Sequence, residues 1–382
     1  MFADMYKPHV SGVTNYISLY KRRFEELGHE VWVFTFGNTD YADDEPNIVR
    51  SPAIPLGDTG WQMGLVLSSE AKRTIPALDI AHVHHPFLSG HVVREHCIEA
   101  GIPVVFTNHT RYDLYSDAYG WFLPKTMRYT ALRRYLTEFT NDVDLVIAPS
   151  RGIQEWLAEF GVTEDTVHVP NCVDTEPFRN PRAPKRRTEF GFDEDSVVMC
   201  YLGRVSAEKN IDLLTEAFVR AAADSPAANL LVIGKGTASE EMRDELDEAG
   251  LRDRVHFAGT VPYSDVPDYL AAADVFVTAS VSEVHPLVVL EAFAAGLPVV
   301  GVRSPGIVDT VDDDVNGLLA SEDAEELAEH MSLMASDAEL RARLAAGAAE
   351  AAARYDVRVI AEEMLALYRG LVERRTGSGA GL

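Results

Sequence analysis

Cysteine is scarce in this sequence, and long apolar runs are missing. The three cysteines, Cys97, Cys172 and Cys200, lie far apart and form no CxxC pair, which argues against a disulfide framework and a zinc knuckle. No run of 18 apolar residues occurs, and the N-terminus has no basic segment followed by an apolar one. We therefore expect neither a membrane-spanning helix nor a secretion signal. These absences favour the cytoplasm, with the protein free or peripheral on the cytoplasmic face of a membrane.

Basic residues are also in deficit. The 34 Lys and Arg, of which only seven are Lys, face 60 Asp and Glu, and the net charge is −26. A chain this acidic is unsuited to general nucleic-acid binding, which needs a basic surface. The apolar share of 47% in 382 residues is ordinary for a globular protein and suffices for two buried cores.

The sequence does contain a regular alternation of short β-branched runs and amphipathic stretches, which is typical of βαβ units around parallel sheets. We expect strands at Val31–Phe36, Asp79–His84, Pro103–Phe106, Val143–Ala148 and Val167–Val169, and then at Val197–Leu202, Leu230–Ile233, Val255–Phe257, Val275–Thr278 and Pro298–Gly301. A stretch rich in Pro and Arg predicts a linker at residues 179–189. The predicted fold class is α/β, with two Rossmann-like, doubly wound domains, residues 1–178 and 190–355, facing one another across a cleft.

The beginning of the chain departs from this pattern. A parallel strand should precede the first helix, yet only Met1–Ala3 are available for it, whereas about five or six residues are usual. We therefore expect the natural start to lie upstream of Met1. The first helix is well marked, with apolar residues from Val13 to Leu27 at helical spacing and a stop at Gly28.

The strongest motif is the run SEVHPLVVLEAFAAGLPVV at residues 282–300, in which seven residues separate Glu283 from Glu291. A helix that starts near Pro286, where a missing N–H costs nothing, would point its first amides at a ligand phosphate. Glu283 would then stand at the mouth of the helix, and Glu291 would lie about one and a half turns inside it. The alternative is one solvated Glu and one Glu on an ordinary helix face.

Two strand ends that contain glycine accompany this motif. Residues 202–210 read LGRVSAEKN and place Arg204 and Lys209 ahead of a helix, so two cations are offered to a dianion; the alternative is an ordinary loop. Residues 232–236 read VIGKG, where Gly234 and Gly236 would let the backbone approach a nucleotide. The third glycine of a dinucleotide fingerprint is missing, which disfavours a dinucleotide oxidoreductase.

Together and in this order, these motifs resemble those of the retaining nucleotide-sugar glycosyltransferases of family 4, which have the GT-B fold. The resemblance covers nearly the whole chain and includes residues 257–262 (FAGTVP), 273–276 (ADVF), 169–174 (VPNCVD) and 315–318 (VNGL). It implies that the last helix, within residues 356–374, returns to the N-terminal domain. That domain would bind the acceptor, and residues 190–355 would bind the nucleotide sugar.

The resemblance also implies roles for individual residues. Glu291 would hold the ribose hydroxyls, Glu283 would contact the donor sugar, and Arg204 and Lys209 would neutralise the departing diphosphate. Further donor contacts would come from Thr260 and Val261 at the base, Gly12 and His109 in the N-terminal domain, and Gly203, Gly234, Gly236, His285, Leu287 and Val288. The resemblance implies no metal and no cofactor, because the nucleotide sugar, with UDP favoured, is a co-substrate.

The chain differs from the family pattern at two of these places. Ser11 precedes Gly12 where the family often has two glycines, and His285–Pro286 replaces the commoner aromatic–Gly pair. Because Pro286 cannot donate an N–H, we expect one contact with the donor sugar to be lost or moved.

Histidines cluster at residues 81–86 (AHVHHP) and again at His91 and His96, which raises the alternative of a zinc site. His82 and His84 would share one face of a strand. Since no carboxylate or thiolate lies beside them at ligand spacing, we expect a polar wall of the cleft instead.

The segment Arg111–Phe139 reverses the sign of the protein's charge. It has five basic residues against three acidic ones, together with eight aromatic residues, a combination that interfacial membrane helices use. It also follows His109 directly, and residues 84–90 (HHPFLSG) and 107–115 (TNHTRYDLY) look like the family branch that glycosylates diacylglycerol-type lipids. We therefore expect this segment to contact an anionic membrane; the alternative is that its aromatics belong to the core.

The predicted function is that of a retaining glycosyltransferase that moves glucose or a related hexose from a nucleotide diphosphate to a membrane lipid or lipid-linked acceptor. One alternative is transfer to a soluble sugar or sugar phosphate. The other is a non-catalytic protein that binds nucleotide sugars, which a measurement of turnover would distinguish.

Overall fold

The computed structural model describes residues 1–9, 11–55, 62–64, 66–112, 125–163 and 165–378. The chain forms two compact units, Met1–Asn171 with Val357–Leu382, and Cys172–Asp356. Within the described ranges, no helix is both long enough and apolar enough to cross a membrane.

The two units have the following strands and helices. The strands are β1 (Val33–Phe36), β2 (Ile48–Ser51), β3 (Ile54–Pro55), β4 (Gln62–Met63), β5 (Ala81–Val83), β6 (Val104–Thr107), β7 (Leu145–Ala148), β8 (Thr166–His168), β9 (Val197–Leu202), β10 (Ala228–Ile233), β11 (Val255–Gly259), β12 (Val275–Thr278), β13 (Val299–Val302) and β14 (Gly317–Ala320). The helices are α1 (Gly12–Glu26), α2 (Ser69–Thr74), α3 (Leu88–Glu99), α4 (Lys125–Thr140), α5 (Arg151–Phe160), α6 (Thr175–Arg179), α7 (Ile211–Asp224), α8 (Ser239–Glu248), α9 (Val266–Leu270), α10 (Leu287–Ala294), α11 (Pro305–Val308), α12 (Ala324–Ser336), α13 (Ala338–Arg354) and α14 (Val357–Ser378).

The main sheet of the first unit is parallel and is held together by the first residues of the chain. β1 pairs with β2, and β5, β6, β7 and β8 pair in that order. Phe2 forms parallel bridges to both Phe34 and Val83 and so joins the two sets of strands. Met1–Ala3 therefore occupy the internal position that the sequence analysis assigned to a first strand.

The sheet of the second unit has the doubly wound order that was expected. Its strands are all parallel and run β11-β10-β9-β12-β13-β14, which is 3-2-1-4-5-6 in order of appearance. The order reverses between β9 and β12, and open α/β sheets bind their ligands at the carboxyl ends of the strands at such a point.

Both faces of this sheet are buried, which is why its strands read as continuous apolar runs rather than as alternating ones. Within β9, Met199 and Tyr201 enter one core with α7 and α12. Val198 and Cys200 enter the other core, with α10 and part of α13. Successive side chains of a strand point to opposite faces, so one short strand serves two cores.

The sequence analysis missed four of the paired strands, which are β2, β3, β4 and β14. β2 contains Arg50, which pairs with Asp43 at 2.7 Å, and so it lacks an apolar run. β14 opens with Gly317, where a Cβ would lie 2.4 Å from the carbonyl oxygen of Val299. Only glycine lets β14 approach β13 this closely, and glycine weakens the sequence pattern from which a strand is predicted.

The division between the units lies earlier than the sequence suggested. The predicted linker, residues 179–189, belongs to the second unit, because the units meet at Asn171–Cys172 and at Asp356–Val357. The amides of Ala183 and Lys185 donate to Asp268, each at 2.8 Å. Backbone hydrogen bonds thus fix a Pro-rich stretch that has little regular structure.

The last helix, α14, belongs to the first unit, as predicted. Its stripe of buried residues includes Ile360, Met364 and Leu371. The Tyr368 hydroxyl is hydrogen-bonded to Nδ1 of His82, and Arg375 pairs with Asp144 at 2.9 Å.

We predict that Met364→Ala lowers the free energy of unfolding by about 2–5 kcal/mol, because it opens a cavity under α14 that its neighbours cannot fill. Urea unfolding measures this change. Val359→Ala is the matched control, since Val359 lies on the same helix with 56% of its surface exposed and should shift the value by less than about 0.5 kcal/mol. Equal effects of the two substitutions would contradict the packing of α14.

Candidate active site

The loop after β9 presents the first two predicted site residues. Arg204 has 60% of its side chain exposed and lies 3.3 Å from Glu208. Between Arg204 and Lys209, Val205 is fully buried and anchors the loop. The hydroxyl of Tyr201 donates to the carbonyl of Arg204 at 2.7 Å. Arg204 therefore projects from a fixed backbone, and its guanidinium is largely exposed.

The loop after β12 brings an acid to the same place. Nζ of Lys209 lies 2.6 Å from Oε1 of Glu283, and both side chains are about four-fifths buried. Burial by itself raises the pKa of Glu283, but the charge of Lys209 and its hydrogen bond hold that pKa below the ordinary value. Two motifs that lie 74 residues apart thus meet where the strand order reverses.

Neighbouring segments support this acidic loop from behind. The Ser282 hydroxyl donates to the carbonyl of Glu208, and the Ser304 hydroxyl donates to the carbonyl of Ser280, each at 3.0 Å. A Cβ on Gly306 would lie 2.4 Å from the carbonyl oxygen of Glu283, so only glycine fits there. The position of Glu283 therefore depends on the loop after β13 as well as on its own loop.

Helix α10 begins at Leu287, directly after Pro286, as the sequence predicted. Leu287 and Val288 are partly exposed in its first turn, where helix amides have no intrahelical partner. His285 is buried, and its ring packs edge-on against Tyr355 at 5.4 Å. The candidate site is thus accessible at the first turn of α10, whereas the neighbouring His285 is covered.

Glu291 lies inside α10 with only 4% of its surface exposed. Burial raises its pKa to about 7, and a hydrogen bond from Tyr263 lowers the value in part. A buried carboxyl with one hydroxyl partner is costly to the fold. Such a group is a good candidate for binding, because a ligand with hydroxyl donors would satisfy it.

The two glycines after β10 lie against the loop after β9. A Cβ on Gly234 would lie 1.8 Å from the carbonyl oxygen of Gly203, and a Cβ on Gly236 would lie 2.0 Å from that of Val205. Both glycines therefore let two loops of the protein approach each other. Gly203 itself has φ +151°, a conformation in which other residues are strained.

Backbone hydrogen bonds extend this contact to the loop that contains Thr260 and Val261. The amide of Gly234 donates to the carbonyl of Gly259 at 2.8 Å, and the amide of Val205 donates to that of Lys235 at 3.2 Å. Thr260 is exposed and Val261 partly so. The loops after β9, β10 and β11 consequently form one continuous edge.

In the first unit, Gly12 is the first residue of α1, and Ser11 is its N-cap. The Ser11 hydroxyl accepts a hydrogen bond from the amide of Thr14 at 3.2 Å. Ser11 stands where the family often has a glycine. Its presence has a local explanation, because Ser is a much better N-cap than most residues. Gly12 is exposed.

His109 lies two residues after β6 and is partly exposed. Its Nε2 is 3.0 Å from Nδ1 of His84, and the rings of His82 and His84 are 4.2 Å apart on one strand face. Among the described residues, no group of three or more His, Cys, Asp or Glu is placed to hold a metal ion. His82 lies on β5, and His84 and His109 follow the ends of β5 and β6.

The described part of the segment from Arg111 to Phe139 is more embedded than the membrane hypothesis assumed. Tyr112 and Phe139 are buried, so these two aromatics belong to the core and not to an interface. The guanidinium of Arg111 lies 5.3 Å from the ring centroid of Trp156, and Arg133 donates to the carbonyl of Phe160 at 2.8 Å. Tyr115, Tyr119, Trp121 and Phe122 lie outside the described residues.

Part of the segment does face outward. On α4, Met127 and Tyr129 have 60% and 41% of their surfaces exposed. Arg134 is also exposed and pairs with Glu138 at 2.7 Å. Among the described residues of this segment, exposed apolar surface therefore lies near the start of α4.

The sequence analysis missed several contacts of the candidate site residues. Tyr263 at Glu291, Gly306 behind Glu283 and His84 beside His109 were not assigned these roles. Tyr263 follows Thr260 and Val261 closely enough to have been considered, whereas the contact of Gly306 with Glu283 has no local signal.

The chain matches two family models. Residues 10–177 match glycosyltransferase family 4, and residues 183–351 match the glycosyl transferases group 1 model. The chain is 28% identical over 335 residues to the alpha-monoglucosyldiacylglycerol synthase of Streptococcus pneumoniae, with 84% of this chain and 74% of that one covered. It is 30% identical over 393 residues to the D-inositol 3-phosphate glycosyltransferase of Xylanimonas cellulosilytica, with 95% and 93% covered.

Solved structures have the same fold. Anabaena Alr3699/HepE in complex with UDP is similar with a TM-score of 0.78 and 20% identity, and the match covers 97% of this chain and 98% of that one. Sucrose-phosphate synthase from Thermosynechococcus elongatus is similar with a TM-score of 0.76 and 23% identity, with 97% and 96% covered. With its two parallel Rossmann-like units and matches along nearly its whole length, the chain belongs to glycosyltransferase family 4 and has the GT-B fold.

Proposed function

We propose that this protein is a retaining hexosyltransferase that moves glucose or a related hexose from a UDP-sugar to a hydroxyl of a membrane lipid or lipid-linked acceptor. The observation that carries the proposal is the contact of Lys209 with Glu283 at 2.6 Å, beside Arg204 and just ahead of α10. This group of side chains combines two cations, Arg204 and Lys209, for a diphosphate with one carboxylate, Glu283, for sugar hydroxyls.

In this proposal Arg204 and Lys209 bind the donor diphosphate. Negative charge grows on the diphosphate as the glycosidic bond breaks, so cations that are already in place stabilise the transition state more than the bound substrate. The pair between Arg204 and Glu208 is exposed, so it is weak and easily exchanged for a ligand. The free amides at the start of α10 would add to the same charge stabilisation.

Glu283 and Glu291 would divide the recognition of the donor. Glu283 is ionised by its contact with Lys209 and can accept hydrogen bonds from sugar hydroxyls. Glu291 is buried in the helix and would accept hydrogen bonds from the ribose hydroxyls in place of Tyr263. Contacts with the ribose are the same before and during reaction, whereas contacts with the sugar can strengthen in the transition state.

Retention of configuration is part of the proposal and requires no dedicated base on this chain. In same-face transfer the departing diphosphate oxygen takes the proton of the acceptor hydroxyl as the new bond forms. His109 would lie against the donor sugar as a neutral group, since burial lowers its pKa to about 3.

The relatives support the choice of donor and acceptor. Two of them, from Streptococcus pneumoniae and Acholeplasma laidlawii, are alpha-monoglucosyldiacylglycerol synthases at 28% and 26% identity. Structures of Anabaena Alr3699/HepE hold UDP, UDP with glucose, and UDP-glucose. A UDP-hexose donor and a lipid acceptor are therefore the first pair to assay.

A second candidate is transfer to a soluble sugar phosphate. It is supported by D-inositol 3-phosphate glycosyltransferases that are 28–31% identical to this chain. The exposed Met127 and Tyr129 on α4 favour the lipid instead, because a soluble acceptor does not require apolar surface there. Assays with diacylglycerol in vesicles and with inositol phosphate distinguish the two.

We predict opposite effects of Glu291→Gln on nucleotide binding and on stability. UDP should bind about ten- to a hundredfold more weakly, because hydrogen bonds to a charged group are lost. The unliganded fold should gain stability relative to wild type as pH rises. Isothermal titration and urea unfolding measure the two effects.

The direction of this pH dependence follows from the raised pKa of Glu291. Its contribution to the free energy of unfolding is complete below the pKa of a glutamate in the unfolded chain, which is near 4.5. That contribution is lost as the pH rises through about 7, the pKa of Glu291 in the folded protein. The advantage of the variant should therefore widen by about 2–3 kcal/mol between pH 5 and pH 8. Glu350→Gln, on an exposed face of α13, should show no such trend. Unchanged UDP affinity in Glu291→Gln would remove the ribose assignment.

We predict that Arg204→Ala lowers kcat by at least about a hundredfold, the usual effect of removing one charge-stabilising group. Its affinity for UDP should fall, while its affinity for uridine should stay as in wild type, because only UDP has the diphosphate. Arg220→Ala, which removes an exposed Arg that also pairs with a Glu four residues away, is the control for charge. Equal losses for UDP and uridine would place the diphosphate elsewhere.

We predict that the start of α4 contributes to binding of anionic vesicles. Replacing Lys125, Arg128 and Arg134 by Ser should weaken binding to phosphatidylglycerol vesicles about a hundredfold, at about 1 kcal/mol for each basic residue. Arg133 is left in place because it holds the carbonyl of Phe160. Co-sedimentation at low and high salt measures the effect.

The control replaces Lys185, Arg220 and Arg252 by Ser, which removes the same charge from the other unit. That variant should bind the vesicles as wild type does. If both triple variants bind alike, or if wild type does not bind, α4 is not a membrane contact and the soluble acceptor becomes the first candidate.

A further inference from the structure

Two histidine rings at the carboxyl edge of the first unit's sheet share one hydrogen bond. Nδ1 of His84 lies 3.0 Å from Nε2 of His109, and the ring centroids are 5.2 Å apart. Tyr16 of α1 packs edge-on against both rings, at 5.5 Å and 4.8 Å. The loops after β5 and β6 and helix α1 together therefore hold the pair in place.

Both rings are neutral at physiological pH. Burial is the main reason that the pKa of His84 lies well below its usual value, and burial lowers the pKa of His109 to about 3; neighbouring histidines lower both further. Each neutral ring carries a single N–H. The question that decides their chemistry is which ring donates the shared hydrogen bond.

Burial of His84 answers this question. His84 is completely buried, and its Nε2 has no hydrogen-bond partner among the described residues. If His109 donated from Nε2, His84 would have to carry its own proton on the buried Nε2, as a donor without an acceptor. Orphaned buried N–H groups are rarer in proteins than unpaired acceptors. The favoured arrangement has His84 donating from Nδ1.

His82 cannot change this outcome. Its ring lies 4.2 Å from that of His84, but both of its nitrogens are already engaged. Nδ1 is hydrogen-bonded to the Tyr368 hydroxyl, and Nε2 is 2.6 Å from Oγ1 of Thr107. His82 therefore offers no acceptor to the buried nitrogen of His84.

We propose that His84 is a positioning residue that holds His109 in the tautomer protonated on Nδ1. The lone pair on Nε2 of His109 accepts from His84, so the proton of His109 stands on the ring nitrogen that remains for a ligand. His109 then acts as a hydrogen-bond donor to an oxygen of the substrate and not as a proton acceptor. The tautomer follows from the contacts of this unit alone, whereas its use in transfer rests on the proposed function.

The direct test is a long-range ¹H–¹⁵N correlation spectrum of the full chain labelled with ¹⁵N in the histidine rings, with His109 assigned by comparison with His109→Gln. In wild type, Nδ1 of His109 should carry the proton. In His84→Phe, which keeps a ring but removes the donor, the proton should move to Nε2. In His84→Asn, whose amide can occupy the position of Nδ1, the wild-type tautomer should return.

Kinetics tests the consequence for transfer. His84→Phe should lower kcat about tenfold with little change in KM for the UDP-sugar, and His84→Asn should recover most of the loss, which a merely structural role would not produce. A wild-type His109 protonated on Nε2 would overturn the proposal, as would an unchanged tautomer in His84→Phe.

If His84→Phe does not fold, the wild-type spectrum decides by itself. Absence of transferase activity in wild type would contradict the proposed function but would leave the tautomer assignment intact. The two failures are therefore distinguishable.

Discussion

The reversal of strand order between β9 and β12 is the constraint on which the candidate site depends. At that point the helices that follow neighbouring strands leave on opposite sides of the sheet, and the loops at the strand ends are left open. Lys209 follows one of these strands and Glu283 the other, so a contact at 2.6 Å joins residues that are remote in sequence. The mutual neutralisation of these groups allows both to be largely buried without a ligand.

The edge around this contact is made mainly of backbone. Gly234 and Gly236 pack against the loop after β9, and Gly306 packs against the carbonyl of Glu283, with no room for a Cβ at any of the three. Hydrogen bonds between the loops after β9, β10 and β11 complete this edge. Because glycine lets the loops touch directly, the candidate site residues project from a closely packed backbone that has few other ways to pack.

Several buried polar groups cost stability in the unliganded protein. Glu291 is a buried carboxyl with a raised pKa, and His84 has a buried nitrogen without a partner among the described residues. Groups of this kind are expensive unless they serve binding or catalysis. One of these groups lies inside α10 of the second unit, and the other lies beside His109 of the first unit.

The sequence by itself determined the fold class, nearly all of the buried strands and the start of α10, because apolar periodicity, glycine and proline act over a few residues. It also singled out Arg204, Lys209, Glu283 and Glu291 as candidate site residues, since their motifs are local. It did not determine the roles of Gly234 and Gly236, which pack against a loop about thirty residues earlier, or the order of the Pro-rich stretch at residues 179–189. Nor did it show that Tyr112 and Phe139 are core residues, because an aromatic stripe has the same sequence pattern on a membrane and in a core. Only the tertiary structure decided these points, since close approach, burial and the pairing of His84 with His109 depend on which distant segments come together.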